Sequence, residues 1–348
     1  MRPKFKNRGF HPVLADEFPY LFIDSCVQVW PDADFADAHR HGVTAYAVTS
    51  WWPRDGFAAA LEGIMFWQKV ARDHQNITIA TTAEAIRNAK LAGQAAFILA
   101  AQDGEFLEGR LARLEAFHRI GLRLMIPAYN RGNMICDGCL DVRDRGLSRF
   151  GQAVVAECNR LGMVIDCTHT GRRATLEIME RSDHPVVFSH SNPRAVVDNP
   201  RNIDDEQIRA CAAAGGVVGT VCWGPLVFKA GSHTRPSLED YLDCVDYLAD
   251  LLGNTQHIGI GTDFSLGSYP IKRPEPWGAP AYADTRYPHD RFVDTWPRSP
   301  ERFANGFSSY GDLHRVIDGL QRRGYTSDDL KNVFGRNYLR VFQTVFGA

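Results

Sequence analysis

Short apolar segments rich in β-branched residues alternate with amphipathic segments along most of the chain. The intervening segments, such as 108–120 and 148–161, carry apolar residues three and four positions apart, as amphipathic helices do. Strands that alternate with helices are typical of βα units around a parallel sheet. Eight segments are predicted to be buried strands: 20–24, 43–51, 95–102, 122–129, 162–169, 184–190, 215–223 and 257–263.

Eight βα units favour a closed barrel over an open sheet, since no G-x-G-x-x-G turn opens a helix after the first strand. We therefore predict an α/β protein in which residues 1–348 form a single (β/α)8 TIM-type barrel domain. Two extra helices are predicted at the C-terminus, over 310–323 and 327–346. The segment 265–306 is rich in Pro, Trp and Tyr and is predicted to be a lid or binding loop.

Composition excludes several classes of function. The formal net charge is −2 and no basic cluster is present, so we expect no nucleic-acid partner. The basic N-terminus is followed by no apolar signal region, and no segment approaches the roughly 20 apolar residues of a membrane helix, so no membrane association is expected. Eight cysteines, several of them in strand-like segments, indicate a reducing environment. We predict a soluble cytoplasmic protein.

The ends of the predicted strands carry the candidate chemistry, because active sites of such barrels lie at the C-terminal ends of their strands. Two successive strands end in His169 and His190, and the last ends in Asp263. Either histidine alone is explained by a hydrogen bond to a neighbouring loop, but two on adjacent strands favour a zinc site with the aspartate. Further polar residues at strand ends are Cys26, Gln28, Gln102 and Tyr129.

Five long segments resemble the membrane dipeptidase (renal dipeptidase) family of the amidohydrolase superfamily. They are GRLARLEAFHRIGLRLM, GLSRFGQAVVAECNRLGMVIDCTH, PVVFSHSNPRAVVDNPRNIDDEQIRACAAAGGVVG, HIGIGTDF and NVFGRNYLRVF, and the likeness covers nearly the whole chain. The resemblance implies a (β/α)8 barrel, hydrolysis of a dipeptide at a two-zinc site, and a homodimer.

The resemblance also implies roles for four residues. His169 and His190 match the two histidines that bind one metal ion, and Asp263 matches the aspartate that takes the proton of the attacking water. Arg201 matches the arginine that clamps the substrate carboxylate. The residues around Arg201 leave another interpretation open, in which it pairs with an acidic neighbour, Asp204 or Asp205.

The sequence departs from the family at four polar positions. Cys26 and Gln28 stand where the family has a histidine and an aspartate, Gln102 where it has the bridging glutamate, and Tyr129 where it has a substrate-facing histidine. Two divalent ions roughly 3.5–4 Å apart repel each other and need anionic ligands around them. Because two formal negative charges are lost, the paired-metal site is predicted to be lost.

One zinc ion or none is therefore expected. Its predicted ligands are His169 and His190, completed by Gln102, Asp263 or water, and by Cys26 if the thiolate reaches the ion. The other interpretation of Cys26 is a small buried residue that fills the space of the missing histidine.

The leading hypothesis is a dipeptidase-like, metal-dependent hydrolase of a small amide substrate that bears a carboxylate. In this scheme Asp263 is the general base, Arg201 binds the carboxylate, and Tyr129 donates a hydrogen bond to the developing oxyanion. The alternative is a metal-free barrel that binds a small acid, or that catalyses a lyase or isomerase step with Cys26, Tyr129 and Asp263.

Two pairs of residues outside this site have simpler interpretations. His39 and His41 lie two positions apart at a predicted helix end and are expected to be solvated. Cys136 and Cys139 form a C-x-x-C motif without the second pair that a zinc knuckle requires, and are expected to lie on a surface loop.

Overall fold

The computed structural model describes residues 20–29, 33, 35–267 and 302–347. Ten strands in this part of the chain form one sheet, and every named pair of strands is parallel. They are β1 Phe22–Val29, β2 Val43–Thr49, β3 Ile77–Ile79, β4 Ala95–Ala101, β5 Leu122–Met125, β6 Val164–Ile165, β7 Val187–Phe188, β8 Val217–Thr220, β9 Ile258–Ile260 and β10 Phe264–Leu266.

Eight of these strands form a nearly closed barrel in the order β6-β5-β4-β2-β1-β9-β8-β7. The two ends of that order meet where Asp166 pairs with Val187 in a parallel bridge. At this seam the amide of Cys167 donates to the Val187 carbonyl across 2.7 Å. The predicted (β/α)8 barrel is confirmed, and each of the eight predicted strands is present. The two strands that the sequence did not indicate, β3 and β10, have three residues each.

Helices follow the strands and cover the outside of the barrel, as the amphipathic segments predict. Local caps set their ends: Ser148 accepts from the amide of Gly151 at the start of the helix 149–161, and Gly162 ends that helix with φ 71°. The helices are α1 Phe35–Arg40, α2 Phe57–Asp73, α3 Ala83–Ala92, α4 Ala112–Arg119, α5 Arg149–Leu161, α6 Arg172–Arg181, α7 Asp205–Ala213, α8 Gly224–Val227, α9 Leu238–Leu252, α10 Leu313–Arg322, α11 Ser327–Lys331 and α12 Asn337–Phe346.

The last helix fills one end of the barrel. Side chains of a strand alternate between its two faces, and the inward set forms a core with Tyr338, Val341 and Phe342 of α12. Gly259 lies so near the Tyr338 ring that a Cβ there would be 2.3 Å from Cε2. The opposite end, where the strands terminate, is therefore the mouth of the barrel. The inward strand residues include Ile23, Ala45, Ala47, Ala96, Ile98, Leu124, Val164, Val187 and Val217.

Other predictions have mixed outcomes. The two predicted C-terminal helices are confirmed. The first is α10, and the second is α11 and α12, which a π-helical turn over Asn332–Arg336 connects.

Most of the predicted lid, residues 268–301, lies outside the described residues. Within the described residues no helix combines the length and the apolar character needed to cross a bilayer.

Two expectations about exposure are wrong. His39 is only 6% exposed, because α1 packs against the barrel, whereas His41 is exposed as expected. Cys136 is buried, since its loop folds back and pairs it with Leu147, and Cys139 is half-buried. All eight cysteines are free thiols in this structure.

Candidate active site

The mouth of the barrel brings the predicted site residues together. Cys26 Sγ, a ring nitrogen of His190 and a carboxylate oxygen of Asp263 all lie within 4.8 Å of one another, and all three side chains are buried. Nε2 of His169 lies 3.0 Å from Nε2 of His190. A thiol, two imidazoles and a carboxylate thus face one small volume.

Two neutral amides border this group. Nε2 of Gln102 donates to Cys26 Sγ across 3.1 Å, and Nε2 of Gln28 donates to Oδ1 of Asp263 across 3.3 Å. Each amide therefore turns a hydrogen-bond donor, not its oxygen, toward an atom that can carry negative charge. The geometry holds the thiol and the carboxylate in place without adding anionic charge.

His169 is positioned by the segment that follows β5. Its Nδ1 lies 2.6 Å from Oδ1 of Asn130, and its ring stacks on the ring of Tyr129 with centroids 4.0 Å apart. Sequence reasoning identified Tyr129 but missed Asn130. The backbone conformation marks Asn130 as a site residue. Asn130, His169 and Asp263 all have positive φ, between 56° and 66°. Side chains seldom adopt this left-handed region, asparagine more readily than most, and residues in it cluster at functional sites.

His190 is positioned from behind by two residues that sequence reasoning also missed. Its Nδ1 lies 2.7 Å from Oγ of Ser189, and that hydroxyl donates in turn to the carboxylate of Asp166. Burial raises the pKa of Asp166, against the hydrogen bonds from Ser189 and Thr168, which lower it.

Asp24 supports the opposite part of the site. Its carboxylate accepts from the amides of Cys26 and Thr262, at 3.2 and 2.9 Å, and from the hydroxyls of Thr262 and Tyr310, both at 2.6 Å. Complete burial raises the pKa of Asp24 to about 6, and the hydrogen bonds oppose that rise. Asp24 thereby fixes the backbone at Cys26 and at Thr262, the residue before Asp263.

Arg201 lies beside the two histidines and is only 3% exposed. Its Nη2 is 3.2 Å from Nε2 of His169 and 3.5 Å from the carbonyl oxygen of His190. Its Nε and Nη1 have no nitrogen or oxygen partner among the described residues. The guanidinium also lies beside the Cys139 thiol, where it opposes the rise in the pKa of that thiol caused by burial. A buried guanidinium in this state is costly unless an anion binds to it.

The acidic neighbours of Arg201 are engaged elsewhere. Asp204 forms an ion pair with Arg172 and caps α7, while Asp205 accepts a hydrogen bond from Tyr247. A local ion pair therefore does not account for Arg201.

The donor set consists of ligand types that fit zinc. Thiolate sulfur, imidazole nitrogen and carboxylate oxygen are the ligands that zinc takes in proteins, and two nitrogens on one tetrahedral zinc are about 3.3 Å apart, near the 3.0 Å observed here. The group of possible ligands in the described residues contains a single carboxylate, Asp263.

The fold and the site define an amidohydrolase-type barrel. Residues 32–273 match the membrane dipeptidase family (peptidase family M19), and the chain belongs to that family. The resemblance seen in the sequence is thereby confirmed.

Individual relatives agree with this assignment. The chain is 26% identical to Dipeptidase 3 of Mus musculus over 309 residues, which cover 87% of this chain and 54% of the mouse protein. The chain spans about half the length of the curated relatives it matches.

Solved structures give the same fold. An amidohydrolase from Pseudomonas aeruginosa superposes with a TM-score of 0.81 at 28% identity, over 95% of this chain and 98% of that one. A metallopeptidase from Rhodobacter sphaeroides, liganded with a phosphinate mimic of the dipeptide L-Ala-D-Ala, gives a TM-score of 0.76 at 19% identity, over 94% of this chain and 99% of that one. At that identity the second likeness concerns the fold alone.

Proposed function

We propose that this protein is a dipeptidase-like hydrolase that cleaves an amide bond in a small substrate bearing a carboxylate, with one zinc ion at the barrel mouth. The observation that carries the proposal is the convergence of Cys26, His190 and Asp263 within 4.8 Å, beside His169. Membership in the membrane dipeptidase family and the dipeptidases among the relatives support the reaction class.

The zinc ligands in this proposal are His169, His190 and Cys26. When bound, zinc supplies a Lewis acid that polarises the carbonyl of the scissile amide. Asp263 takes the proton of the attacking water as general base, and the amide of Gln28 holds its carboxylate in position.

Arg201 and Tyr129 orient the substrate and stabilise the charge that develops on it. The guanidinium forms a fork that matches the two oxygens of a carboxylate, and its Nε and Nη1 have no oxygen partner among the described residues. Because Nη2 is 3.2 Å from His169, the carboxylate of the substrate lies close to the amide that is cleaved. Tyr129, whose ring stacks on His169, donates a hydrogen bond to the oxygen that becomes negative.

A second zinc ion has no place in the proposal, for an electrostatic reason. Gln28 and Gln102 are neutral and direct amide nitrogens, not oxygens, toward Asp263 and Cys26. Two adjacent dications repel each other strongly at low effective dielectric, and one carboxylate and one thiolate leave that repulsion largely uncompensated.

One observation favours a second candidate. The Arg201 guanidinium is able to bind a carboxylate whether or not a metal ion is present. In this second candidate the protein is a metal-free barrel that binds a small acid, or that catalyses a lyase or isomerase step with Cys26, Tyr129 and Asp263.

Metal analysis separates the two candidates. The purified chain is stripped with a chelator and dialysed against micromolar zinc, its zinc content is measured by mass spectrometry, and both forms are assayed on a panel of dipeptides. We expect about one zinc ion per chain and hydrolysis by the zinc-loaded form alone. A chain that takes up no zinc and cleaves no dipeptide contradicts the proposal, and a thermal shift with small carboxylic acids then supports the second candidate.

A further inference from the structure

Asp166 holds together the two strands that end in His169 and His190. Its Oδ1 accepts from the amide of Thr168, in its own strand segment, across 3.0 Å, and from the amide of Ser189, next to His190, across 2.9 Å. Its Oδ2 accepts from the hydroxyl of Ser189. This buried carboxylate therefore determines where both histidine-bearing segments leave the barrel at the β6 to β7 seam.

Asp24 makes the same set of bonds between β1 and the end of β9. It accepts from the amide two residues later in its own strand, and from both the amide and the hydroxyl of Thr262 in the neighbouring strand. In both places a buried aspartate thus joins the ends of two neighbouring strands through two backbone amides and one hydroxyl. Within the described part of the chain the two cases differ in one respect: the Ser189 hydroxyl also contacts an imidazole, at Nδ1 of His190, and the Thr262 hydroxyl does not.

A count of protons gives the direction of that contact. The Ser189 hydroxyl has a single hydrogen, and it donates this hydrogen to Asp166. The 2.7 Å contact with His190 is then a hydrogen bond only if Nδ1 of the imidazole carries a proton and donates to Oγ. In a neutral imidazole this leaves Nε2 without a proton, and Nε2 is the atom that faces His169 at 3.0 Å.

We infer that Asp166 is a positioning residue that acts through Ser189 to fix His190 in the tautomer with its proton on Nδ1, so that the lone pair of Nε2 points into the site. The inference rests on the proposed function in its choice of zinc as the ion that Nε2 receives. A hydrogen bond from the second ring nitrogen of a metal-binding histidine fixes its tautomer and raises its basicity, and losing such a partner typically costs about 10- to 100-fold in metal affinity.

The tautomer is measured without metal, by long-range proton–nitrogen NMR on the metal-free chain labelled with ¹⁵N-histidine. The chain has 12 histidines, so the His190 signals are identified by their loss in His190→Gln. We expect a protonated Nδ1 and an unprotonated Nε2 in the native chain. In Ser189→Ala we expect the proton to move toward Nε2, and Ser189→Thr, which keeps the hydroxyl, should restore the native pattern.

Zinc affinity is measured in parallel, by competition with a chromophoric chelator. Ser189→Ala should bind zinc about 10- to 100-fold more weakly than the native chain, and Ser189→Thr should recover most of that loss. The matched control is Ser50→Ala, which removes another buried hydroxyl at a strand end, one that donates to the Val48 carbonyl. It should leave both the His190 signals and the zinc affinity unchanged.

The outcomes distinguish this inference from the proposed function. A native chain whose His190 carries its proton on Nε2, or a Ser189→Ala chain with an unaltered tautomer, overturns the inference whatever the zinc content. Equal losses of zinc affinity in Ser189→Ala and Ser50→Ala also overturn it, because they indicate general loosening of the barrel. If the native chain binds no zinc, the proposed function fails, while the NMR result still decides the tautomer.

Discussion

Nη2 of Arg201 lies 3.2 Å from Nε2 of His169, with the guanidinium almost completely buried. A cation in contact with a candidate metal ligand, and without a described carboxylate partner, destabilises the ligand-free protein. The same arrangement places a carboxylate-binding group next to the reacting centre. Function and stability should therefore respond in opposite directions when Arg201 is replaced.

The variant Arg201→Met tests this relationship. Loss of charge-assisted hydrogen bonds to the substrate carboxylate should raise KM for a dipeptide about 10- to 100-fold. Tm of the substrate-free protein should not fall, because a buried charge is removed. The exposed Arg172, which pairs with Asp204 and Glu206, provides the control: Arg172→Met should leave KM unchanged. A normal KM in Arg201→Met would exclude Arg201 from substrate binding.

Cobalt substitution tests whether Cys26 is a metal ligand or a space-filling residue. The cobalt-loaded chain should show a thiolate-to-cobalt charge-transfer band in the near ultraviolet, since Cys26 Sγ belongs to the group of possible ligands. Cys26→Ala should abolish the band and weaken cobalt binding. Cys244→Ala, in α9, should retain the band because that thiol is buried in the hydrophobic core. A band that persists in Cys26→Ala would favour the space-filling role.

The phenol of Tyr129 is tested by Tyr129→Phe. The substitution keeps the ring that stacks on His169 at 4.0 Å and removes only the hydroxyl. If the hydroxyl stabilises the developing oxyanion, kcat for dipeptide hydrolysis should fall about 100- to 1,000-fold with little change in KM. Metal content serves as the internal control and should stay constant. A change confined to KM would assign Tyr129 to ground-state binding.

His39 predicts a pH dependence of stability. Burial lowers the pKa of His39 below its usual 6.5, so the folded protein binds this proton less readily than the unfolded chain does. As pH falls below about 6.5, the unfolded chain becomes protonated first and the free energy of unfolding decreases. Above that pH both states are neutral and His39 has no effect.

The measurement is urea unfolding of the native chain and of His39→Gln between pH 5 and 8. The native chain should lose more stability than the variant on the acid side, and the difference between the two should be constant above pH 7. His41→Gln is the comparison variant, because it removes an exposed imidazole two positions away. Parallel profiles for the native chain and His39→Gln would contradict the prediction.

The fold could be predicted from the sequence because it depends on local patterns. Alternating buried strands and amphipathic helices require a parallel sheet with helices outside it, and the number of units favours closure. The positions of His169, His190 and Asp263 at strand ends follow from the same pattern, since all parallel strands terminate at the mouth. Strands β3 and β10 were missed because three residues are too few to establish a periodicity.

Only the tertiary structure decided which side chains become partners. Asp166 and Ser189 lie 23 positions apart, and Asn130 and His169 lie 39 apart, so neither pair leaves a local sequence signal. The sequence left Arg201 free to pair with Asp204 or Asp205, and packing instead directs the guanidinium toward His169. The burial of His39 was likewise hidden, because exposure depends on which element packs over a residue. The sequence determined which residue types lie at the barrel mouth. Which of them contact each other was decided by tertiary packing, because the partners come from segments far apart in the chain.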